Sequence, residues 1–526
     1  MTELDALIVG GGHNGLVCAA MLARAGRTVT VVEARDVVGG FATTEAPFSN
    51  HPDVRMPMAA MDLVSANLPP SVIDDLDLAA HGLTLIDVDP FYCHVTPDGR
   101  SFAFWRSIDR TCDELAAFSA HDARRYRRLM TRLVALWRTL GPYLHAHPTR
   151  PGLRPVLAAL GQGARHVLSM PRVMRTMLSS PGAAIEAHFE NDSIRAALAN
   201  FAAASGSPLD EPGSGIILAM MAMQHEWGVR RPVGGMGAFS DAIRRAAEHH
   251  GATILTGAPV ERILIEHGRA TGVVLKDGGA LRADHVVGTV DPKTLFLKLL
   301  PAGTLKPKIV AELEALGVWR ANIAPMRVDL LVSEAPAMVL PPARADLLRH
   351  CSMLLGPDFQ GTRRFIQAAQ AGVLADGGIP IWPASPSAID RSLVPPGSPM
   401  ETFYIFIPAV PYRLADGRRW ADLGETVVQR TIATMERVMP GLSDRIVARA
   451  VRTPDDIAAV SGITRGSAYH ADMSLWQMGP RRPTPSLAGY RSPIPGLWHS
   501  GAGAHPMASV NGLSGALTAE TILRSG

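Results

Sequence analysis

The sequence predicts an α/β fold: a parallel sheet with a β-meander, joined to a second α+β domain, each discontinuous along the chain. Three stretches carry that prediction. Ala6-Leu7-Ile8-Val9 runs straight into Gly10-Gly11-Gly12-His13-Asn14-Gly15. Helix and strand patterns return at Pro232–Gly237 after a long arginine-rich interval. A C-terminal segment from Pro493 then adds a turn, a short apolar strand and a glycine-led helix.

The first unit reads strand, glycine-rich turn, helix, strand, acid. Gly10 allows the tight turn off the strand, Gly12 lets backbone approach a pyrophosphate, and Gly15 lets helix and strand pack closely. Leu16, Ala19, Ala20, Leu22 and Ala23 give a small-residue apolar helix up to Gly26. Its N-terminus offers free N–H groups and positive dipole to phosphate, and His13 and Asn14 shape the turn before Gly15. Thr28–Val32 forms the second strand and ends in Glu33, where a carboxylate accepts from ribose hydroxyls. The unit is Rossmann-like and binds a dinucleotide.

Ala34 and Arg35 lead on to Gly39-Gly40-Phe41-Ala42. A fold that holds only a nicotinamide has no need for this second glycine pair. It lets backbone reach another part of a long cofactor, as FAD extended across the domain requires. Phe41 stands where many flavoproteins carry an arginine, so no charged phosphate contact is expected there.

Composition bounds the rest. With 47% apolar and 19% charged residues the chain is globular. A net charge of +3 does not argue for nucleic acid, and neither zinc-finger spacing nor an aromatic RNA-binding signature occurs. Cys18, Cys93, Cys112 and Cys351 are scattered, which argues against a disulfide scaffold or a structural zinc site and fits a reducing, cytoplasmic setting. The apolar N-terminal run is the first strand and not a signal peptide, and no stretch has the length of a spanning helix.

Residues 63–230 read as a different domain. Thr84–Val88 and Ser101–Trp105 are strand-like and flank a turn at Pro97-Asp98-Gly99. Helical patterns follow from about Asp109 to Leu140 and on to Met223. Arg124, Arg125, Arg127, Arg128, Arg132 and Arg138 interleave with Tyr126, Leu129, Met130, Leu133, Val134 and Trp137. Such a helix either packs its apolar face on its own domain or lies peripherally on the inner face of an anionic membrane. Met170, Met174 and Met177 among Arg165, Arg172 and Arg175 leave the same two readings, with methionines filling core gaps or lining an adaptable pocket.

From Pro232-Val233-Gly234-Gly235-Met236-Gly237 a helix spans about Ala238–His250 and leads to the strand Thr253–Leu255. Val260–Glu266, Ala270–Leu275 and Ala283–Thr289 make a meander around the Asp277-Gly278 turn; the arrangement resembles the second nucleotide-binding segment of two-domain flavoproteins, which implies a backbone near Val260 against the adenine. Arg327–Val332 and Thr402–Pro408 are strands of the other domain, and the Pro- and Ser-rich tract Pro380–Pro399 reads as a loop. At the end, Leu497–Ser500 enters Gly501 and Ala502, and Asn511-Gly512 opens the helix Leu513–Leu523 toward a flavin ring. The dinucleotide domain is therefore assigned to residues 1–62, 231–300 and 485–526, the substrate domain to 63–230 and 301–484.

In this combination and order the motifs resemble the phytoene desaturase-like FAD-dependent oxidoreductases, nearest the pyridine nucleotide-disulfide oxidoreductase domain-containing protein 2 branch. The likeness rests on His13-Asn14-Gly15-Leu16, Gly39-Gly40 and Gly234-Gly235-Met236-Gly237. It continues through Gly466-Ser467, His470, Arg482-Pro483, Tyr490–Ile494 and Gly501 with His505-Pro506 and Gly512. It implies non-covalent FAD and dehydrogenation or isomerisation of apolar, polyene-like substrates. Two departures stand out: Met507-Ala508-Ser509 replaces a glycine-rich triplet, and Ala502 replaces a frequent carboxylate. Disulfide reduction needs a redox cysteine pair that this chain lacks. No second nucleotide turn serves NAD(P)H, so electrons would pass on to oxygen, a quinone or another carrier.

The family pattern places four acid/base candidates near the ring: His225, Glu226, His470 and His505. Imidazoles titrate near neutrality, and Glu226 has the alternative of pairing with Arg230 or Arg231. The resulting expectation is desaturation of a C–C bond by hydride transfer to flavin. Rival readings are amine oxidation with an aromatic cage from Tyr404, Tyr412, Trp420 or Trp476, a flavin-dependent polyene isomerase, and a non-catalytic FAD-containing scaffold. No metal is expected.

Overall fold

A computed structural model describes residues 4–58, 70–166 and 170–525; the expected boundary at 62–63 lies outside them. Leu4–Val9 sits inside the largest sheet, whose strand order is Val260–Glu266, Arg269–Leu275, Ala280–Gly288, Leu4–Val9, Val29–Val32, Thr253–Leu255. Leu497–His499 pairs with Ala280–Gly288 as a seventh strand. Leu7 faces Val286 on one side and Thr30 on the other, both in parallel register. Ala6, Leu7, Ile8 and Val9 are all buried, as a parallel strand covered on both faces must be.

The helix His13–Arg24 covers one face, and the helices Met236–His249 and Leu513–Leu523 pack on it. Its small residues Ala19, Ala20 and Ala23 allow the close approach. At the tightest point, a Cβ on Gly515 would collide with the Asn14 carbonyl oxygen. The antiparallel meander of Val260–Glu266, Arg269–Leu275 and Ala280–Gly288 buries Ile263, Val273 and Val286 against Leu7 and Val9.

A second, four-stranded sheet has the order Trp382–Ala384, Glu401–Pro411, Ile323–Val332, Ile446–Arg452, antiparallel throughout. It therefore contains the two strands expected around residues 327 and 402. Among the described residues seven helices between Ile108 and Trp227 stand beside it, the longest being Ala120–Leu144. Its Tyr126, Leu129, Met130, Leu133 and Trp137 lie in the core, while the arginines point outward.

Two local readings need correction. Ser101–Phe104 pairs not with the piece at 84–88 but with Tyr92–Val95, and Leu85–Asp87 pairs with Arg230–Pro232. Tyr92–Val95 is buried along its whole length, so it lacks the polar–apolar alternation that marks a half-exposed strand. The tract Pro380–Pro399 is no surface loop. It holds the edge strand Trp382–Ala384 and the short helix Pro386–Ile389, with Pro383 on the edge and Pro386 in the first helical turn, where no N–H is needed.

Candidate active site

The two glycine turns are bonded to each other. Gly39 N–H donates to the Gly11 carbonyl at 2.7 Å, while Gly11 N–H donates to Glu33 Oε2 at 2.7 Å. Arg35 N–H donates to Glu33 Oε1 at 2.9 Å. The acid thus ends its strand fixed by two backbone donors, with lone pairs left toward the cavity. Gly10 has φ +106°, and a Cβ there would lie 2.7 Å from Thr289 Oγ1. Thr289 in turn donates to the Gly10 carbonyl at 2.8 Å, locking the turn to the neighbouring strand.

These turns open into a cavity of about 610 Å3, a size that suits cofactors and small molecules. Its lining includes Gly10, Gly12, His13, Asn14, Gly15, Glu33, Ala34, Arg35, Gly39, Gly40 and Phe41 at one end. Val260, Gly501, Ala502 and His470 also face it. Ala42, Asn511, Gly512 and Leu513 do not line it. The Ala42 carbonyl accepts from Ser240, and the Asn511 side chain caps the C-terminal helix at Leu513 N–H. Ser509 and Val510 line the wall just before that helix.

The residues present fit FAD. An added Cβ at Gly12 would meet nothing within 4 Å, and its backbone is ordinary at φ −67°. The chain itself gives no reason for glycine there; a phosphate group lying against the helix N-terminus does. Glycines 15, 39 and 501 are different, because at each of them a Cβ would press on backbone oxygen.

Of the acid/base candidates only His470 reaches the cavity. It is buried with Nδ1 unpartnered among the described residues, and burial pushes its imidazole down to about 4, against the pull of Asp291. His13 faces the same space and is also pushed down to about 4 by burial; its Nε2 lies 3.2 Å from the Ser509 carbonyl. Both rings are therefore neutral at pH 7. His225 lies inside the helical core, its Nε2 2.7 Å from the Tyr126 hydroxyl. Glu226 pairs with Arg138 through two 2.8 Å bonds, not with Arg230 or Arg231 as expected. His505 packs edge-on against Tyr143, off the cavity. The sequence spacing around these three gives no hint of this, because the helix Ala120–Leu144 that claims all of them is remote in the chain.

Beyond the glycine end the walls become apolar: Phe201, Ile216, Ile217, Met220, Trp382 and Phe406. Ile216, Met220 and Gln224 share a helix face at four-residue spacing. Gln224, Trp319 and Arg327 also line the cavity and were not foreseen. The strand at Arg327–Val332 is legible in the sequence, though it begins earlier, at Ile323, and nothing there marks Arg327 as facing a cavity. Of the aromatic candidates only Tyr404 lines it; Trp420 is buried in the other core, and Trp476 is 58% exposed.

A dinucleotide cradle opening into an apolar chamber defines an FAD-dependent oxidoreductase. The comparisons place the chain more narrowly. Residues 15–329 match the model of the flavin containing amine oxidoreductases, and the chain belongs to that family. It is 31% identical to pyridine nucleotide-disulfide oxidoreductase domain-containing protein 2 of Rattus norvegicus, over 99% of this chain and 94% of that one. Hydroxyneurosporene desaturase of Cereibacter sphaeroides is 29% identical, over 98% of this chain and 97% of its own. An oxidoreductase structure from Methanosarcina mazei shares the fold at a TM-score of 0.62 and 16% identity, covering 99% of this chain and 100% of that one. The relatives thus support the sequence resemblance to phytoene desaturase-like proteins.

Proposed function

We propose that this enzyme desaturates a C–C bond of a largely apolar, polyene-like substrate. The observation that carries this reading is the apolar chamber continuous with the dinucleotide cradle: Glu33, at the cradle end, is the only carboxylate in the described cavity lining. Relatives named for desaturating hydroxyneurosporene and phytoene support it. In this reading residues 1–62, 231–300 and 485–526 hold FAD, and 63–230 with 301–484 enclose the substrate.

Bound FAD supplies a two-electron acceptor for hydride. The chain's own work is to orient the substrate, exclude water and take the second hydrogen as a proton. His470, the one acid/base candidate that lines the cavity, is the group for that last task, since a neutral imidazole accepts a proton where a charged one cannot. Gly10, Gly12, Glu33 and Gly39-Gly40 hold the cofactor, and Ala508 and Ser509 close the space above it. Electrons then leave to oxygen, a quinone or another carrier.

Amine oxidation is the second reading, favoured by the family's description. Two features weigh against it. A substrate ammonium entering the apolar end meets no acid, and the one aromatic candidate at hand, Tyr404, already has the Arg327 guanidinium over its ring at 4.3 Å. Anaerobic mixing of the holoenzyme with polyenes and then with amines separates the readings. Flavin bleaching by polyenes supports desaturation, and bleaching by amines alone replaces it. Conversion of a polyene without bleaching would mark an isomerase, and inertness to both classes a scaffold.

A further inference from the structure

Charge is distributed very unevenly along this chain. Residues 123–185 contain eleven arginines and no aspartate or glutamate, although the whole protein carries only +3. Everything outside that interval is therefore net acidic. The interval folds into the helices Ala120–Leu144, Leu153–His166 and Met170–Leu178, the last two packed on the first.

Five of these arginines meet. Arg125, Arg128 and Arg132 from the long helix and Arg172 and Arg175 from Met170–Leu178 line a cavity of about 500 Å3, separate from the flavin cavity. Its remaining walls include Leu129, Leu133 and Val173, which are buried and apolar, and His188. No carboxylate lines it, and none of the five arginines has an acidic partner among the described residues. Arginines nearby on the same helix do find acids: Arg127 pairs with Asp109 and Arg138 with Glu226. Arg125, Arg128, Arg172 and Arg175 are exposed, so the hollow presents positive charge to solvent, and the planar forks of these arginines match phosphate oxygens. Burial and the charges of Arg125 and Arg132 also push the His188 imidazole down, so it stays neutral beside them.

The same surface is unusually apolar. Of the fourteen exposed large apolar side chains among the described residues, six fall within residues 153–178. Leu153, Leu157 and Leu160 are 73%, 56% and 63% exposed on one short helix. Met174 and Leu178 continue the patch on the helix that carries Arg172 and Arg175. A soluble anion would explain the arginines alone, but not the leucines beside them. Exposed aliphatic side chains next to a guanidinium-lined hollow fit a lipid, with its phosphate in the hollow and its chains against the leucines.

We propose that this face docks on an anionic phospholipid membrane, with a headgroup phosphate held by Arg125, Arg128, Arg132, Arg172 and Arg175 and the exposed leucines entering the acyl boundary. The long helix joins this face to the flavin cavity. On its opposite side Trp137 Nε1–H donates to the Ala219 carbonyl, on the helix whose Ile216 and Met220 wall the substrate end. An apolar substrate dissolved in the bilayer would then lie one helix layer from its site. The docking stands independently of the reaction assigned to the flavin.

The test is co-sedimentation of the full-length holoprotein with phosphatidylcholine vesicles, with and without phosphatidylglycerol. Binding should require phosphatidylglycerol and weaken as salt is raised. Each arginine near an anionic surface contributes about fivefold, so Arg128→Ala with Arg132→Ala should weaken binding by roughly twentyfold. Leu157→Ser with Leu160→Ser should weaken it by about tenfold or more at low salt. Both double variants must keep their flavin absorbance, which separates lost docking from lost fold. Absent binding, equal binding to phosphatidylcholine alone, or full binding by the arginine variant overturns the proposal. So does pyrophosphate binding in the hollow without binding to phosphatidylglycerol vesicles, which would make the ligand a soluble anion.

Discussion

Gly12 and Gly15 share a motif but answer to different neighbours. A Cβ on Gly15 would collide with the Gly10 carbonyl oxygen, so this glycine is required by the fold. Gly12 has open space before it and a backbone any residue adopts, so its requirement comes from the cofactor. Gly12→Val should therefore yield a folded protein that purifies without flavin, with cooperative thermal unfolding retained. Gly15→Val should lose both. A yellow Gly12→Val protein would remove the phosphate from this turn. The same logic separates the four acid/base candidates, since only His470 among them lines the cavity. His470→Gln should keep the flavin spectrum while the rate of anaerobic bleaching by substrate falls by about 10²–10⁴-fold, the usual weight of a general base. His225→Gln, by contrast, should lower stability by releasing Tyr126 and leave that rate near the parent's.

At the scale of elements, much was legible because local pattern and tertiary place agree. The runs Ala6–Val9 and Thr28–Val32, the helix Leu513–Leu523 and the meander from Val260 are each continuous in sequence and carry their own periodicity. What was illegible depends on partners far along the chain. Leu85–Asp87 takes Arg230–Pro232 as its neighbour, and Glu226 takes Arg138, in each case across a fold that the local sequence does not describe. The strand Ile323–Val332 holds a third such partnership. Arg327 Nε–H donates to Asp329 Oδ1 at 2.7 Å, and its Nη1 donates to the Met58 carbonyl, tying the second sheet to the segment after the first unit. Both side chains are buried, and burial raises the Asp329 carboxyl against the pull of Arg327. Asp329→Ala leaves a guanidinium buried without its acid and should cost about 3–5 kcal/mol in denaturant unfolding. A loss below about 1 kcal/mol would mean that the pair behaves as a solvated one.

Considered whole, the molecule closes only when its ends meet. The helix Leu513–Leu523 lies on His13–Arg24, and Leu497–His499 completes the sheet beside Ala280–Gly288, so the cradle needs both termini and the middle of the chain. Tight packing also buries histidines whose neighbours do not offset the cost of charging them. His13, His225, His470, His499 and His505 are each pushed down to about 4, with burial the largest cause. Their unfolded value is the ordinary 6.5, so below that pH the unfolded chain takes up protons the folded one refuses. Stability from these groups is full above pH 6.5 and is lost as pH falls toward 4, at about 1 kcal/mol per histidine between pH 6 and 5. The thermal midpoint should accordingly be level from pH 8 to 7 and drop steeply on acidification to 5, well above the range where carboxylates titrate. His499→Gln tests the source without touching the cavity, because His499 does not line it and its ring bonds the Leu487 carbonyl and packs on Phe296. That variant should start less stable and lose less on acidification. An acid slope identical to the parent's would show that His499 can charge in the folded state despite its burial.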